Sequence, residues 1–294
     1  MTTETRSVDQ TNRTDENAAT AEKNARERLR AAKAFVFDMD GVLYRGDEPL
    51  SGVNDLLNAL TLRDRGYMLA TNNSMATPAD YVRKLARMGI SVPEASILTS
   101  AMATRDYLLE TLPPEAGVFV IGMPALREQL FFGTSLHPVQ YGEEQPDAVV
   151  VGLDTTFTYE KLAMANEAIR GGARFVATNA DVTLPTEAGL VPGCGSLVAA
   201  VAAASGQSPA VIGKPEPLLL QMALERLGAD AGSAVMVGDR LDTDIVAGAR
   251  AGMVSVLVLT GVSTREEIPT APVLPDLVFT DLNALLEALV VNDE

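Results

Sequence analysis

The chain has 294 residues, 47% of them hydrophobic and 21% charged, a composition that excludes a wholly disordered chain, a collagen-like fibre and a coiled-coil rod. Its 39 acidic residues outnumber the 23 lysines and arginines, which gives a net charge of −16. This charge argues against a nucleic-acid partner, because phosphate backbones are repelled, but small anions can still be bound by a local group of lysine, metal and backbone N–H.

The cysteine count and the distribution of apolar residues indicate the cellular compartment. Cys194 is the single cysteine, so no intrachain disulfide can form, and this fits a reducing environment. No run approaches 18 consecutive apolar residues, and the N-terminal residues lack the apolar segment of a signal peptide. We therefore expect a cytoplasmic protein with no membrane partner.

The N-terminal 30 residues differ in composition from the rest of the chain. Val8 and Leu29 are almost the only large apolar side chains there. Such a segment buries too little surface to offset the entropy cost of ordering, so we expect a disordered polar tail over residues 1–30. Its second half, from about Ala18 to Lys33, has the Ala, Glu and Arg content of a marginal helix.

From Ala34 onwards, short apolar runs typical of buried parallel strands alternate with helical segments. The predicted strands are Ala34–Phe37, Tyr67–Thr71, Val118–Ile121, Ala148–Val151, Arg174–Ala177, Ala234–Val237 and Ser255–Leu259. The predicted helices are Val53–Arg65, Ala79–Met88, Pro124–Gln129, Tyr159–Arg170, Ser196–Ala204 and Leu282–Leu289. This alternation predicts an α/β fold, with a parallel sheet covered by helices on both faces.

Residues able to perform phosphate chemistry follow these strands, and ligands of open α/β sheets bind beyond the carboxyl ends of strands. They are Asp38, Asp40, Thr71, Asn72, Asn73, Asp239 and Asp244, and a further residue, Lys214, lies in the loop before Ala234–Val237. Clustered carboxylates need a cation, and oxygen ligands suit Mg²⁺. A carboxylate can also attack phosphorus, and a second carboxyl group can transfer the proton.

Each of these motifs taken singly has a structural alternative. Asp38–Gly41 and Gly238–Asp239 can be simple turns, Thr71–Ser74 a helix N-cap, and Lys214 a solvated loop residue. Their occurrence together, in this order and mostly at the ends of apolar strands, favours chemistry over the structural alternatives.

The four motifs resemble those of the haloacid dehalogenase-type phosphotransferases, and within subfamily IIA the NagD-like or p-nitrophenyl-phosphatase branch. They are Asp38–Tyr44, Thr71–Ser74, Gly213–Pro215 and Gly238–Ile245, and residues 100–104 and 177–181 also resemble that branch. The resemblance extends from about Ala34 to the C-terminus.

The resemblance implies a three-layer Rossmann-like parallel-sheet core with a large inserted α/β cap domain of the C2 type. Residues 31–107 and 208–294 are then the core and residues 108–207 the cap, which the long separation between Thr71 and Lys214 also favours. Closure of the cap would exclude water and select the leaving group.

The resemblance also implies roles for the carboxylates. Asp38 is the nucleophile, and Asp40 protonates the leaving oxygen and then helps to activate water. Mg²⁺ is bound by the Asp38 carboxylate, the main-chain carbonyl of Asp40 and the Asp239 carboxylate. Asp244 supports these ligands without binding the metal directly. The reaction depends mainly on positioning and electrostatic stabilisation.

The remaining site residues would contact phosphate or substrate. Thr71, the main-chain N–H of Asn72 and the neighbouring Asn73 are expected to bind phosphate oxygens, and Lys214 to neutralise charge on the phosphoryl group. In the cap, Asn179 and Asp181 are candidates for substrate contact.

We therefore expect a Mg²⁺-dependent phosphatase that hydrolyses small phosphomonoesters through an aspartyl-phosphate. A phosphomutase or phosphotransferase acting on sugar phosphates, and a phospho-acceptor signalling domain, are the alternatives. Nucleotides, sugar phosphates, glycerol phosphate, phosphoglycolate and pyridoxal phosphate all remain open as substrates. Because this family often forms oligomers through the cap, a homo-oligomer is also expected.

Overall fold

In the computed structural model, the described residues are 20–140, 142, 144–186 and 189–290, and they form two compact units. The first unit comprises the residues up to Tyr67 and those from Leu224 onwards, and the second unit comprises Met68–Ala223. Among the described residues, no helix has both the length and the apolar character needed to cross a membrane.

Strands and helices alternate through both units. The strands are β1 (Ala34–Phe37), β2 (Tyr44–Arg45), β3 (Glu48–Pro49), β4 (Gly66–Thr71), β5 (Ile97–Thr99), β6 (Gly117–Ile121), β7 (His137–Pro138), β8 (Ala148–Val151), β9 (Arg174–Ala177), β10 (Thr183–Thr186), β11 (Gly189–Pro192), β12 (Ala210–Val211), β13 (Ala234–Gly238), β14 (Val254–Val258) and β15 (Leu277–Phe279). The helices are α1 (residues 20–31), α2 (Val53–Leu62), α3 (Pro78–Arg87), α4 (Ser100–Thr111), α5 (Pro124–Phe131), α6 (Tyr159–Arg170), α7 (Cys194–Ser205), α8 (Leu218–Leu227), α9 (Val246–Arg250) and α10 (Leu282–Val290).

The first unit contains four parallel strands that pair in the order β15-β14-β13-β1. Every residue of β1, β13 and β14 is buried, as expected for central parallel strands with helices on both faces. In the register between β1 and β13, Phe37 is opposite Val237. The residues that follow these two strands therefore leave the sheet side by side at its carboxyl edge.

Helix α1 corrects the prediction of a disordered tail for residues 20–30. Leu29 is fully buried and Ala25 is nearly so, and the Arg26 guanidinium lies 5.8 Å from the ring centre of Phe279. These few tertiary contacts stabilise a helix whose composition alone would leave it marginal. The rest of the predicted tail, residues 1–19, lies outside the described residues.

The second unit contains a parallel pair, β4 with β5, and a five-stranded parallel sheet in the order β12-β9-β8-β6-β7. Helices α6 and α7 pack against this sheet, where Phe119, Val149, Phe175 and Val201 belong to one apolar cluster. The predicted α/β class with parallel sheets is confirmed. Strand β12 lies beyond residue 207, the predicted end of the inserted domain, and pairs with β9 of the same sheet.

Candidate active site

Asp38 leaves the first unit's sheet directly after β1. Its main-chain N–H donates to the carbonyl of Val237, 2.9 Å away, so the β1–β13 pairing extends one residue beyond the strands. Two residues later, the side chain of Asp40 is exposed. The backbone then turns at Gly41, whose N–H donates to the carbonyl of Tyr44 at 2.7 Å, and enters the hairpin β2–β3.

Asp239 follows β13 and is only 1% exposed. Its Oδ2 accepts a hydrogen bond from the main-chain N–H of Val262 at 2.7 Å, and its carbonyl accepts one from that of Ser263 at 3.0 Å. A Cβ on Gly261 would lie 1.9 Å from the same Oδ2 atom. The loop after β14 can therefore reach this carboxylate only because residue 261 has no side chain.

Asp244 lies in a single π-type turn, Leu241–Ile245, that leads into α9. It is 1% exposed, and its Oδ2 accepts hydrogen bonds from the main-chain N–H groups of Asp239 at 3.2 Å and Arg240 at 3.1 Å. Asp242, in the same turn, instead forms an exposed ion pair with Arg240 at 3.0 Å. The fold therefore distinguishes the aspartates of this motif.

Asp38, Asp239 and Asp244 form the acidic cluster of the first unit. Each offers a carboxylate oxygen, and the three oxygens all lie within 4.8 Å of one another. Three hard oxygen donors at this separation fit a Mg²⁺-type cation. Such a cation would offset the repulsion among the three carboxylates, two of which are buried. Asp244 contributes an oxygen to this group, although the sequence predicted only a supporting role for it.

In the second unit, the side chain of Asn72 is paired with the main chain of Lys214. Asn72 Oδ1 accepts from the Lys214 N–H at 2.8 Å, and Asn72 Nδ2 donates to the Lys214 carbonyl at 2.8 Å. The same Nδ2 donates to Asp181 Oδ2 at 3.1 Å. The loops after β4, β9 and β12 are thus joined at one asparagine side chain.

The main chain of Asn72 is held as well as its side chain. Its carbonyl accepts from the Ser100 hydroxyl at 2.7 Å and from Asn179 Nδ2 at 2.8 Å. Asn179 Oδ1 in turn accepts from the main-chain N–H of Asp181 at 3.1 Å. The two residues predicted to contact substrate, Asn179 and Asp181, therefore lie against a predicted phosphate loop.

Lys214 is 2% exposed, which excludes the alternative of a solvated loop lysine. Its Nζ donates to the carbonyl of Ala70, the penultimate residue of β4, at 3.2 Å. The peptide bond between Lys214 and Pro215 is cis. A buried ammonium group at the end of a strand can stabilise a bound anion.

Thr71 and Asn73 form local turns within their loop. Thr71 Oγ1 accepts from the main-chain N–H of Asn73 at 3.2 Å, and Asn73 Oδ1 accepts from that of Met75 at 2.8 Å. These turns shape the loop after β4. Binding of phosphate by Thr71, Asn72 and Asn73 remains a prediction, as do the roles of the other site residues.

Three supporting residues were given no role by the sequence reasoning, although Ser100 lies in the segment 100–104 that resembles the family branch. Gly261 and Ser263 form part of the loop at Asp239, and Ser263 Oγ also accepts from the main-chain N–H of Leu241 at 3.0 Å. Ser100 secures the loop of Asn72. For Gly261, its place after a predicted strand is the one signal that the sequence offers.

Two family models and several known proteins match this chain. A family model described as haloacid dehalogenase-like hydrolase matches residues 35–131, and one described as HAD-hydrolase-like matches residues 211–285. The acid sugar phosphatase of Staphylococcus aureus is 40% identical over 261 residues, which cover 89% of this chain and 99% of that protein.

Two solved structures share both sequence and fold. The 4-nitrophenylphosphatase of Thermotoga maritima is 38% identical, with a TM-score of 0.82, over 89% of this chain and 99% of that chain. The glycerol phosphate phosphatase of Mycobacterium tuberculosis, solved in complex with magnesium, is 38% identical, with a TM-score of 0.80, over 87% of this chain and 78% of that chain.

Proposed function

We propose, given that this chain belongs to the haloacid dehalogenase-like hydrolases and is a phosphoric monoester hydrolase, that it uses Mg²⁺ to hydrolyse small phosphomonoesters through an aspartyl-phosphate. The observation that carries this proposal is the acidic cluster of Asp38, Asp239 and Asp244, whose carboxylate oxygens lie within 4.8 Å of one another. The similar structure solved with magnesium supports the choice of cation.

The chemistry begins at the loop after β1. We assign Asp38 as the nucleophile: its carboxylate oxygen bonds to phosphorus while the ester P–O bond breaks. Asp40 donates a proton to the leaving oxygen, and its carboxylate then accepts a proton from the water that attacks phosphorus. The attack by water releases inorganic phosphate and restores the Asp38 carboxylate.

The acidic cluster provides the metal ligands. Asp38 and Asp239 offer carboxylates and Asp40 its main-chain carbonyl, while Asp244 fixes the backbone of Asp239 and adds an oxygen to the cluster. When bound, Mg²⁺ neutralises charge on the nucleophile and on the phosphoryl oxygens.

In the second unit, we assign phosphate binding to the loop after β4 and to Lys214. Thr71, the main-chain N–H of Asn72 and Asn73 would donate to phosphoryl oxygens, and the Lys214 ammonium would neutralise their charge. The burial of Lys214 supports this role, because a fixed charge away from water acts more strongly than a solvated one.

The substrate is proposed to be a small phosphorylated metabolite, selected by an inserted cap over residues 108–207. Asn179 and Asp181 are the proposed contact residues of that cap. The similar proteins are named for sugar phosphate, glycerol phosphate and nitrophenyl phosphate. Sugar and polyol phosphates are therefore the first compounds to test.

The proposed setting is the cytoplasm, which the single, buried Cys194 supports, and the proposed state is a homo-oligomer. Light scattering on the purified chain measures its molar mass in solution. A monomer over the micromolar range would contradict the oligomer.

Hydrolysis of p-nitrophenyl phosphate tests the activity, measured with and without Mg²⁺ for the wild type, Asp38→Asn and the matched variant Asp55→Asn. Asp55 is exposed on α2, so its variant should behave like the wild type. We expect turnover that requires Mg²⁺ in the wild type and in Asp55→Asn, and no turnover in Asp38→Asn. Failure of the wild type on this ester and on a panel of phosphorylated metabolites would contradict the proposal, and an aspartyl-phosphate lasting hours would favour a signalling domain.

A further inference from the structure

Asn72 makes polar contacts through both its side chain and its main-chain carbonyl. Its side chain bonds to both the N–H and the carbonyl of Lys214 and to the Asp181 carboxylate, and its carbonyl accepts from Ser100 and Asn179. We call these five residues the Asn72 network. All of them lie in the second unit.

The chemistry of Asp181 determines which way the Asn72 amide faces. An ionised carboxylate can only accept hydrogen bonds, so the amide atom next to Asp181 Oδ2 must be the nitrogen. The amide oxygen then faces the Lys214 N–H, and the second hydrogen of the nitrogen is directed to the Lys214 carbonyl. If the Asn72 amide were reversed, its oxygen would face both the Asp181 carboxylate and the Lys214 carbonyl. Its N–H groups would then face the Lys214 N–H.

The close approach between the segments that carry Asn72 and Lys214 also depends on the residue before the lysine. A Cβ on Gly213 would lie 2.5 Å from Asn72 Oδ1 and 2.7 Å from the carbonyl oxygen of Thr178. The Gly213 N–H donates to that same carbonyl at 2.9 Å. The backbone entering Lys214 is therefore fixed on both sides, by the loop after β4 and by Thr178, the residue that follows β9.

We infer that Asn72 is a positioning residue for Lys214 and that Asp181 orients the Asn72 amide; this inference rests on the proposed function. Two hydrogen bonds, one to the N–H and one to the carbonyl of the same residue, fix both the position and the direction of the lysine backbone. The Lys214 side chain starts from that backbone and is buried, so displacement of the backbone moves the ammonium group as well. Asp181 thus also acts on catalysis through Asn72, in addition to its proposed contact with substrate.

The test compares Asn72→Ala, Asn72→Asp and the exchanged pair Asn72→Asp with Asp181→Asn. The Asn72→Asp side chain has the same shape and can still accept from the Lys214 N–H, but it cannot donate and it faces a second carboxylate. The exchanged pair restores a donor and an acceptor between positions 72 and 181. Ser205→Ala serves as a control, since that buried hydroxyl donates to the Val201 carbonyl within α7.

We measure kcat and KM with p-nitrophenyl phosphate, the inhibition constant of inorganic phosphate, and the Mg²⁺ concentration for half-maximal rate. Both single variants at position 72 should lose about 100-fold in kcat/KM, since a displacement of about 1 Å can cost that much. Phosphate should bind more weakly, while the Mg²⁺ requirement should stay within about twofold of the wild type, because the acidic cluster is not altered.

The exchanged pair is the decisive variant, because it also covers the case in which Asn72→Ala does not fold. Recovery of about tenfold in kcat/KM relative to Asn72→Asp alone would support the coupling of the two residues. Wild-type kcat/KM and phosphate binding in a folded Asn72→Ala or Asn72→Asp variant would overturn the inference, and no recovery in the pair would overturn the role of Asp181. Failure of the proposed function itself would appear separately, as an inactive wild type.

Discussion

The carboxylate Oδ2 of Asp244 lies 3.2 Å from the main-chain nitrogen of Asp239, so one member of the acidic cluster holds the backbone of another. Asp244→Ala should therefore displace Asp239 as well as remove an oxygen. We expect a fall of about 10- to 100-fold in activity at fixed Mg²⁺, or a matching rise in the Mg²⁺ needed, as is usual when support for metal ligands is removed. Mg²⁺ titration of the rate measures this, with Asp242→Ala as control in the same turn. Equal Mg²⁺ curves for the two variants would contradict the prediction.

Gly261 is the second point at which Asp239 can be disturbed. In Gly261→Ala, the new Cβ would be 1.9 Å from Asp239 Oδ2, so the loop or the carboxylate has to move. We expect kcat/KM to fall by at least about tenfold, through misplacement of the carboxylate. Gly232→Ala is the matched control, because a Cβ there meets nothing within 4 Å. Equal rates for both variants would argue against a role for the close approach.

Asp154 links stability to pH. Burial raises the pKa of this carboxyl, but hydrogen bonds from Lys161, at 2.7 Å, and from Thr156 outweigh burial and hold its pKa below the ordinary value of 3.8. A carboxyl with a lowered pKa in the folded state stabilises the fold above its unfolded pKa, and this contribution is lost as pH falls through the folded pKa.

Asp154→Asn should therefore lower the free energy of unfolding at pH 7 by on the order of 2 kcal/mol, since the side chain is buried and charge-paired. Urea unfolding between pH 7 and pH 3 checks this, and the difference from wild type should shrink as pH falls below 3.8. The exposed pair of Glu22 with Arg26 is the control, with Glu22→Gln expected to cost at most about 0.5 kcal/mol. A difference independent of pH would show that the charge of Asp154 is not responsible.

Cys194 should be chemically inert in the folded protein. Burial raises the pKa of its thiol to about 11, so the reactive thiolate is scarce at neutral pH. Alkylation by iodoacetamide at pH 8, followed by mass spectrometry, should be orders of magnitude slower in native protein than in urea. Comparable rates in the two states would contradict this burial.

A buried leucine of helix α1 can be compared with an exposed leucine of helix α2. Leu29 is 0% exposed, whereas Leu62, at the end of α2, is 85% exposed. Leu29→Ala should destabilise the protein by about 3 kcal/mol, as is typical of a buried leucine. Leu62→Ala should change stability by less than about 0.5 kcal/mol. Chemical denaturation of both variants is the measurement, and equal stabilities would mean that α1 contributes nothing to the core.

The strands whose bounds were predicted correctly are those whose side chains form uninterrupted apolar runs. Ala34–Phe37 and Ala148–Val151 have the predicted bounds because each is buried throughout. Helix Tyr159–Arg170 also has its predicted bounds, with Thr158 capping its start and Gly171 following its end. Burial on all sides leaves in the two strands an apolar run that composition can detect, whereas this helix, buried at Ala165, Ala168 and Ile169, has no such run.

The elements that were missed lack such a pattern. The hairpin β10–β11 was not predicted, because the described side chains of β11 are exposed and show no apolar alternation. Helix α4 buries Ser100, Ala101, Ala103 and Thr104 near its start, and these small or polar side chains give no apolar stripe. Neither element has the apolar pattern by which the other elements were predicted.

Within the candidate site, the motif residues could be found because each follows a strand or precedes one. The pairing of Asn72 with Lys214 could not, because 142 residues separate them and neither residue alone signals the other. The same holds for Asp244, whose role depends on the direction of one carboxylate toward the Asp239 backbone. Side-chain direction at a turn is a property of the folded chain.

Strand β12 has a practical consequence for anyone who wishes to transplant substrate preference between relatives. It pairs with β9, and Lys214 follows it after only two residues. A chimaera that exchanges residues 108–207 would pair a foreign β9 with the native Ala210–Val211 and leave the native Asn72 amide bonded to an Asp181 from another parent. An exchange that begins before Asn72 and ends beyond Pro215 would keep β12 with β9 and the whole Asn72 network in one parent.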